Sequence, residues 1–156
     1  MSIRYCSYSI MKKLTVLLLF IALSGFSQIL EPVKWTPSVK KISENEYDIV
    51  LTADIKSSWH LYSQHLAEGG PLPTVFRFVP NDNYECEGQP SEEEAKEVYE
   101  DVFEMNVKYF ENKAVFKQRI KTNTKRPLKI EGEINYMSCN TEKCIPGHTN
   151  FEISIK

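Results

Sequence analysis

The sequence predicts an all-β sandwich, and three observations carry that reading. Strand signals recur at short intervals along the 156 residues, with turn residues between them. Aromatics are plentiful, with eight Tyr, eight Phe and two Trp beside many Val, Ile and Thr, residues that suit a pleated, half-buried surface. Several segments alternate apolar and polar residues with a period of two, which sets one face of each sheet on a core and leaves the other wet. The length suits one domain with a core of its own.

Trp35 to Ile42 is the first expected strand, closed by the polar turn Ser43-Glu44-Asn45. Tyr47 to Ile55 follows, with Tyr47, Ile49, Leu51 and Ala53 on one face. Trp59-His60-Leu61-Tyr62 is a short extended piece. Gly69-Gly70-Pro71-Leu72-Pro73 is a loop, because Gly frees φ and Pro removes a ladder donor. Thr74 to Val79 and Tyr84 to Glu87 are further strands, and alternation sets Cys86 on the face of Tyr84 as a buried free thiol, with a reactive third thiol as the alternative. Ser91 to Glu100 admits two readings: Ser91 with Glu94 has capping-box form and allows a helical turn or two, while the thin apolar face suits a solvated acidic loop. Met105 to Phe110, the turn Glu111-Asn112-Lys113 and Ala114 to Ile120 read as a hairpin. Pro127 to Met137 is a long strand with Leu128, Ile130, Ile134 and Tyr136 as its apolar members and Gly132 marking a bulge. Thr149 to Ile155 closes the chain with Phe151, Ile153 and Ile155 inward.

The N-terminus stands apart from this pattern. Met11-Lys12-Lys13 is a positive start, Leu14 to Leu23 is an almost unbroken apolar run, and Gly25-Phe26-Ser27 supplies small residues before a cut after Ser27. That is the layout of a secretory signal peptide over residues 1–27, with Met11 as an alternative start to Met1. The apolar run is too short for a hydrocarbon core, which needs about 20 residues, so no stable membrane insertion is expected. The expected mature domain is 28–156. Loss of Arg4, Lys12 and Lys13 turns 19 basic residues into 16 against 21 acidic ones, a formal net charge of −5. A mildly acidic domain without a basic stripe is a poor nucleic-acid binder. With no phosphate-cradling Gly-rich loop, no G-x-S-x-G and no H-E-x-x-H, no cofactor is expected.

Export lets disulfides form and persist. Cys6 leaves with the signal segment, so Cys86, Cys139 and Cys144 remain, and the odd count leaves one unpaired. Cys139-Asn140-Thr141-Glu142-Lys143-Cys144 places two cysteines around a four-residue polar loop. A hairpin there would oppose them with Cα atoms about 4.5–5.5 Å apart, within disulfide range. Two readings fit this spacing: a structural staple, which for so short a loop adds about 2 kcal/mol, and a redox couple. A metal site from Cys139, Cys144 and His148 lacks a fourth ligand, so none is assigned.

The stretch from Ile134 through Cys139 and Cys144 to Pro146 resembles the active-site segment of the N-terminal domain of the bacterial thiol:disulfide interchange protein DsbD: a Tyr, a Cys, a short loop, a second Cys and a Pro. Asp101-Val102-Phe103-Glu104 is similar to that family's cap loop, and Trp59-His60-Leu61-Tyr62 to the aromatic stretch beside the cysteines. The resemblance spans about Val33 to Lys156. It implies an immunoglobulin-like sandwich in the periplasm, acting as a protein-disulfide reductase. Its reducing equivalents would come from a membrane-embedded thiol donor and pass to thioredoxin-like or other disulfide-bearing proteins. There are departures: enteric members carry one more residue between the cysteines, and His60 stands where members often have an aromatic hydroxyl. Members usually continue into a membrane domain and a thioredoxin-like domain, so here the donor is expected from another protein.

The resemblance implies Cys144 as the attacking sulfur and Cys139 as the resolving one, with Lys143 either favouring the thiolate or pointing to water. Phe103, with Asp101, is read as a lid over the sulfurs or as an ordinary core Phe. Tyr62, His60 and Tyr136 are candidates to flank the pair, with a core role as the alternative for the tyrosines. His148 is a proton relay or an exposed loop residue.

Overall fold

Among the described residues, period-two alternation builds ten antiparallel strands in two sheets, an immunoglobulin-like sandwich. The structure, a computed structural model, describes residues 30–124 and 127–155. The expected signal peptide, Cys6 and the choice between Met1 and Met11 lie outside these residues. The strands are β1 (Val33–Lys41), β2 (Glu46–Ile55), β3 (His60–Tyr62), β4 (Val75–Phe78) and β5 (Tyr84–Glu92). They continue with β6 (Lys96–Glu100), β7 (Met105–Glu111), β8 (Lys113–Thr122), β9 (Leu128–Cys139) and β10 (Cys144–Ile155).

One sheet has the order β1-β2-β8-β5 and the other β10-β9-β3-β7-β6. The long strand β9 carries β10 along one edge; along the other, β4 pairs with its middle and β3 with its C-terminal end. The inner faces supply the core. Ile49, Leu51, Ala53, Ala114, Phe116 and Ile120 come from the first sheet. They meet Leu61, Phe110, Ile130, Ile134, Tyr136 and Phe151 from the second. Trp35 sits at the centre of an aromatic group, its ring 5.6 Å from both Phe116 and Tyr136 and 5.8 Å from Phe76.

Four expectations need correction. Residues 91–100 are mostly strand, not helix: Ser91 and Glu92 extend β5, 96–100 are strand β6, and only 93–95 remain as a short acidic loop between them. Pairing with β7 supplies what the thin apolar face could not, since Val98 packs on a neighbouring cluster. The segments 105–111 and 113–122 are both strands but not a hairpin: β7 pairs with β3 and β6, whereas β8 pairs with β2 and β5. Asn112, at φ 63°, turns the chain from one sheet into the other, a left-handed conformation Asn tolerates. Gly132 is no bulge, because β9 and β10 stay in register through it. A Cβ there would lie 2.5 Å from the Arg77 carbonyl oxygen and from the Phe151 ring, so close approach explains the glycine. The irregularity falls instead in β5, between Glu87 and Ser91 beside Gly88 at φ 66°, where Gln118 Nε2 donates to the Glu87 carbonyl. Finally, Cys86 shares the face of Tyr84 but is exposed, on the edge strand β5 rather than in the core.

Candidate functional site

The site starts from a turn. Asn140 donates its backbone N–H to the Lys143 carbonyl at 3.0 Å, and its side-chain Oδ1 accepts the N–H groups of Glu142 and Lys143, each at 2.9 Å. That closes β9 and β10 into a hairpin whose last hydrogen-bonded pair is Asn140 with Lys143. Antiparallel pairs alternate, so the next pair, Cys139 with Cys144, is of the closer, non-hydrogen-bonded kind. The two are joined by a disulfide, with Cα atoms 4.0 Å apart.

The two sulfurs have unequal surroundings. Cys144 is exposed, on the edge strand β10, while Cys139 is only 2% exposed. The strand phase makes the burial of Cys139 unexpected. On β9 the residues Ile130, Ile134, Tyr136 and Ser138 face the core, so Cys139 and Met137 face outward. That outer face is not wet here. Tyr62, Val107, Tyr109 and Cys139 form a second apolar cluster, with Leu66, Val98, Phe103, Met105 and Met137 packed against it. The expectation of one wet face per sheet therefore fails at this end of the second sheet.

The cover comes from the β6–β7 hairpin. Its loop is Asp101-Val102-Phe103-Glu104, with the Phe103 N–H bonded to the Glu100 carbonyl at 3.2 Å and Glu104 in the left-handed region at φ 53°. Asp101, Val102 and Glu104 are exposed, Val102 to 85%, whereas Phe103 turns back onto the cluster, its ring 6.3 Å from Tyr62 in an edge-on arrangement. Beneath the loop lies a cleft of about 690 Å³. Both cysteines, His60, Tyr62, Phe103 and Glu100 line it.

Polar groups at the cleft are tied together. Tyr62 is fully buried, and its hydroxyl donates to Glu100 Oε2 at 2.8 Å. His60 Nε2 lies 3.2 Å from the Tyr62 oxygen and 3.5 Å from Glu100 Oε1. With the Tyr62 hydrogen committed to the carboxylate, the imidazole Nε2–H is the donor in the His60–Tyr62 contact. Burial and the bond to Glu100 push the Tyr62 phenol well above its ordinary value, so it stays protonated and keeps donating. Burial pushes His60 down, outweighing the pull of Glu100 and Glu111, with Lys96 pushing the same way. The ring beside the disulfide is thus neutral at neutral pH.

Of the residues singled out in the sequence, Cys139, Cys144, His60, Tyr62, Asp101 and Phe103 are brought together around the cleft. Tyr136 is not: it belongs to the main core against Trp35, with its ring packed over Gly147, because its phase on β9 is opposite to that of Cys139. Lys143 is exposed in the turn. His148 is exposed and bonded to Asn135 Oδ1 at 2.9 Å, four residues along β10 from Cys144. Sequence reasoning missed Glu100, Tyr109 and Glu111. The available signal was a pairing of 96–100 with 105–109 around a four-residue loop, hidden while 91–100 read as an acidic loop.

The family model described as thiol:disulfide interchange protein DsbD, N-terminal, matches residues 27–155. Among solved structures, the reduced N-terminal domain of DsbD from Neisseria meningitidis superposes with a TM-score of 0.54 at 19% identity, covering 84% of this chain and 94% of that one. A complex between the DsbD N-terminal and PilB N-terminal domains of the same organism gives 0.54 at 16% identity, covering 84% and 91%. The N-terminal periplasmic domain of ScsB from Proteus mirabilis gives 0.56 at 16% identity, covering 80% of this chain and 47% of that one. No curated protein matches the chain.

Proposed function

The chain belongs to the family of DsbD N-terminal domains, thiol–disulfide exchange domains, and from that premise we propose that it relays reducing equivalents in the periplasm through Cys139 and Cys144. The observation that carries this reading is the unequal exposure of the two bonded sulfurs: one is reachable by a foreign sulfur, the other is sheltered next to it.

In the reduced domain, the Cys144 thiolate attacks a sulfur of the partner's disulfide. A Cys144–partner disulfide forms and one partner thiolate leaves, to be protonated. The Cys139 thiolate then attacks the Cys144 sulfur, regenerates the internal disulfide and releases the second partner thiol. Two electrons and two protons reach the partner, which is reduced as the domain is oxidised. A membrane-embedded thiol donor reverses the internal oxidation. Thioredoxin-like or other disulfide-bearing proteins are the acceptors. The Neisseria complex with a second protein domain supports protein partners, and the periplasmic ScsB domain supports the compartment. Phe103 acts as a lid that a partner must displace, and Asp101 on the exposed side of the same loop meets the partner first.

Trapping tests the reading. In a Cys86→Ser background, which removes the exposed third thiol, Cys139→Ala is expected to accumulate a reducible adduct through Cys144, and Cys144→Ala none. An internal disulfide with a potential below about −300 mV, the range of structural bridges, with no adduct trapped, would instead make it a staple.

A further inference from the structure

We propose that His60 is the general base of the resolving step: its free ring nitrogen, Nδ1, takes the proton of the Cys139 thiol as that sulfur attacks the Cys144–partner disulfide. The role rests on Cys139 being the resolving sulfur, as proposed above. The need for a base comes from burial. Cys139 is 2% exposed, in a cluster with Tyr62, Val107 and Tyr109, and apolar surroundings hold a thiol in its protonated form. Only the thiolate attacks, so the sheltered sulfur needs a group that accepts its proton inside the cleft.

His60 is placed to do so. It is directly opposed to Cys139 in the β3–β9 register, so the two side chains leave one face of the sheet with Cβ atoms about 4.5–5.5 Å apart. In the disulfide the Cys139 sulfur is tied toward Cys144, on the strand to its other side, and reduction frees it to turn toward the imidazole. Among the described residues, His60 makes its polar contacts through Nε2, 3.2 Å from the Tyr62 oxygen and 3.5 Å from Glu100 Oε1. The Tyr62 hydrogen is on Glu100, so Nε2 carries the ring's hydrogen and Nδ1 keeps its lone pair. Nucleophile, base and a third group that orients the base then follow in order as Cys139, His60 and Glu100.

The charges around the ring suit a proton taken up and given back. Glu100 and Lys96 act on it from β6, Glu111 and Tyr109 from β7, and Tyr62 from its own strand, with Asp101, Cys139 and Cys144 lining the same cleft. Burial is the largest influence and keeps the ring neutral at neutral pH, ready to accept, while the Glu100 and Glu111 carboxylates favour the imidazolium once it forms. Cys139 gives its proton to Nδ1 and its electron pair to the Cys144 sulfur. The bond between Cys144 and the partner breaks, and the partner thiolate leaves and takes up the proton that the imidazolium releases. The aromatic hydroxyl that family members often have here is a far weaker proton acceptor than an imidazole.

The test is stopped-flow oxidation of the reduced protein by dithiobis-nitrobenzoate in the Cys86→Ser background. The first nitrothiobenzoate released reports attack by Cys144 and the second reports resolution by Cys139, so Cys139→Ala is expected to release only the first. The second release is expected to be flat around and above neutral pH and to fall only below about 6.5, as the ring itself takes up a proton. His60→Gln keeps an N–H toward Tyr62 and Glu100 but has no basic nitrogen. It should slow the second release about a hundredfold near neutral pH, make it rise about tenfold per pH unit as for an unassisted thiol, and leave the first release unchanged. His60→Tyr should behave as Gln does, with both variants compared at a temperature where thermal unfolding shows them folded. A second release with unchanged rate and pH profile in both variants overturns the base and leaves the redox pair standing. Equal slowing of both releases also overturns it, since His60 would then act on access to the cleft. If the parent protein gives no second release, Cys139 does not resolve, and the proposed exchange fails together with the base.

Discussion

His60 and Cys139 are directly opposed residues on β3 and β9, so the imidazole and the sheltered sulfur share one face of one sheet. Each in-register partner adds to a single row, Cys144, Cys139, His60 and Glu111, that crosses four strands at the mouth of the cleft. The row explains why a three-residue strand matters: β3 is what brings a titratable ring beside the disulfide.

A pH dependence follows from the lowered His60 value. Both folded and unfolded states hold a neutral ring well above the ordinary value near 6.5. As pH falls through 6.5 the unfolded chain takes up the proton first, so stability is lost on acidification toward the lower folded value. His60→Gln should therefore flatten the fall in unfolding free energy as the pH drops below about 6.5. Denaturant unfolding at several pH values checks this. A steeper fall in the variant would contradict it.

The disulfide should supply only part of the domain's stability. It closes a loop of so few residues that the chain-entropy cost removed from the unfolded state is about 2 kcal/mol. Reduction is therefore expected to lower the urea midpoint modestly and leave the β spectrum intact. A domain that unfolds on reduction would point to a staple.

Glu92 should be worth more to stability than its place in an acidic stretch suggests. It accepts from the Ser63 hydroxyl, the Gln64 N–H at 2.9 Å and Gln64 Nε2 at 3.3 Å, and Ser63 is fully buried beside Tyr62. Glu92→Ala leaves the buried Ser63 hydroxyl and the Gln64 N–H without this acceptor, while Gln64 Nε2 keeps the Pro90 carbonyl, at a cost of about 2 kcal/mol. Urea unfolding should show a lower midpoint with an unchanged slope.

Gly132→Ala should destabilise by about 1–3 kcal/mol, because the added methyl meets the Arg77 carbonyl oxygen and the Phe151 ring, both at 2.5 Å, and the backbone atom cannot turn away. Phe151→Leu in the same chain should recover only the part due to the ring, read as a partial return of the thermal midpoint.

Local pattern made most strands legible. Tyr47, Ile49, Leu51 and Ala53 lie on one face of β2 as alternation required, and the polar loop between Cys139 and Cys144 closes the hairpin its length allowed. Segments whose character depends on a distant partner were not legible. Val98 looks isolated in an acidic run until β7 lies beside it. The stretch around Asn112 looks like a hairpin turn because its two flanks are good strands, and nothing local says that they join different sheets.

The chain's own order of residues determined a β domain with two cysteines poised to bond, because alternation and a four-residue gap act over distances shorter than one strand. Which sulfur is sheltered, and by what, was decided only in three dimensions. The Tyr62–Glu100 bond spans 38 residues, and the apolar cover on the outer face of β9 is assembled from Tyr62 of β3, Leu66 and residues of the β6–β7 hairpin. Such contacts depend on strand order and curvature, which no short window of sequence encodes.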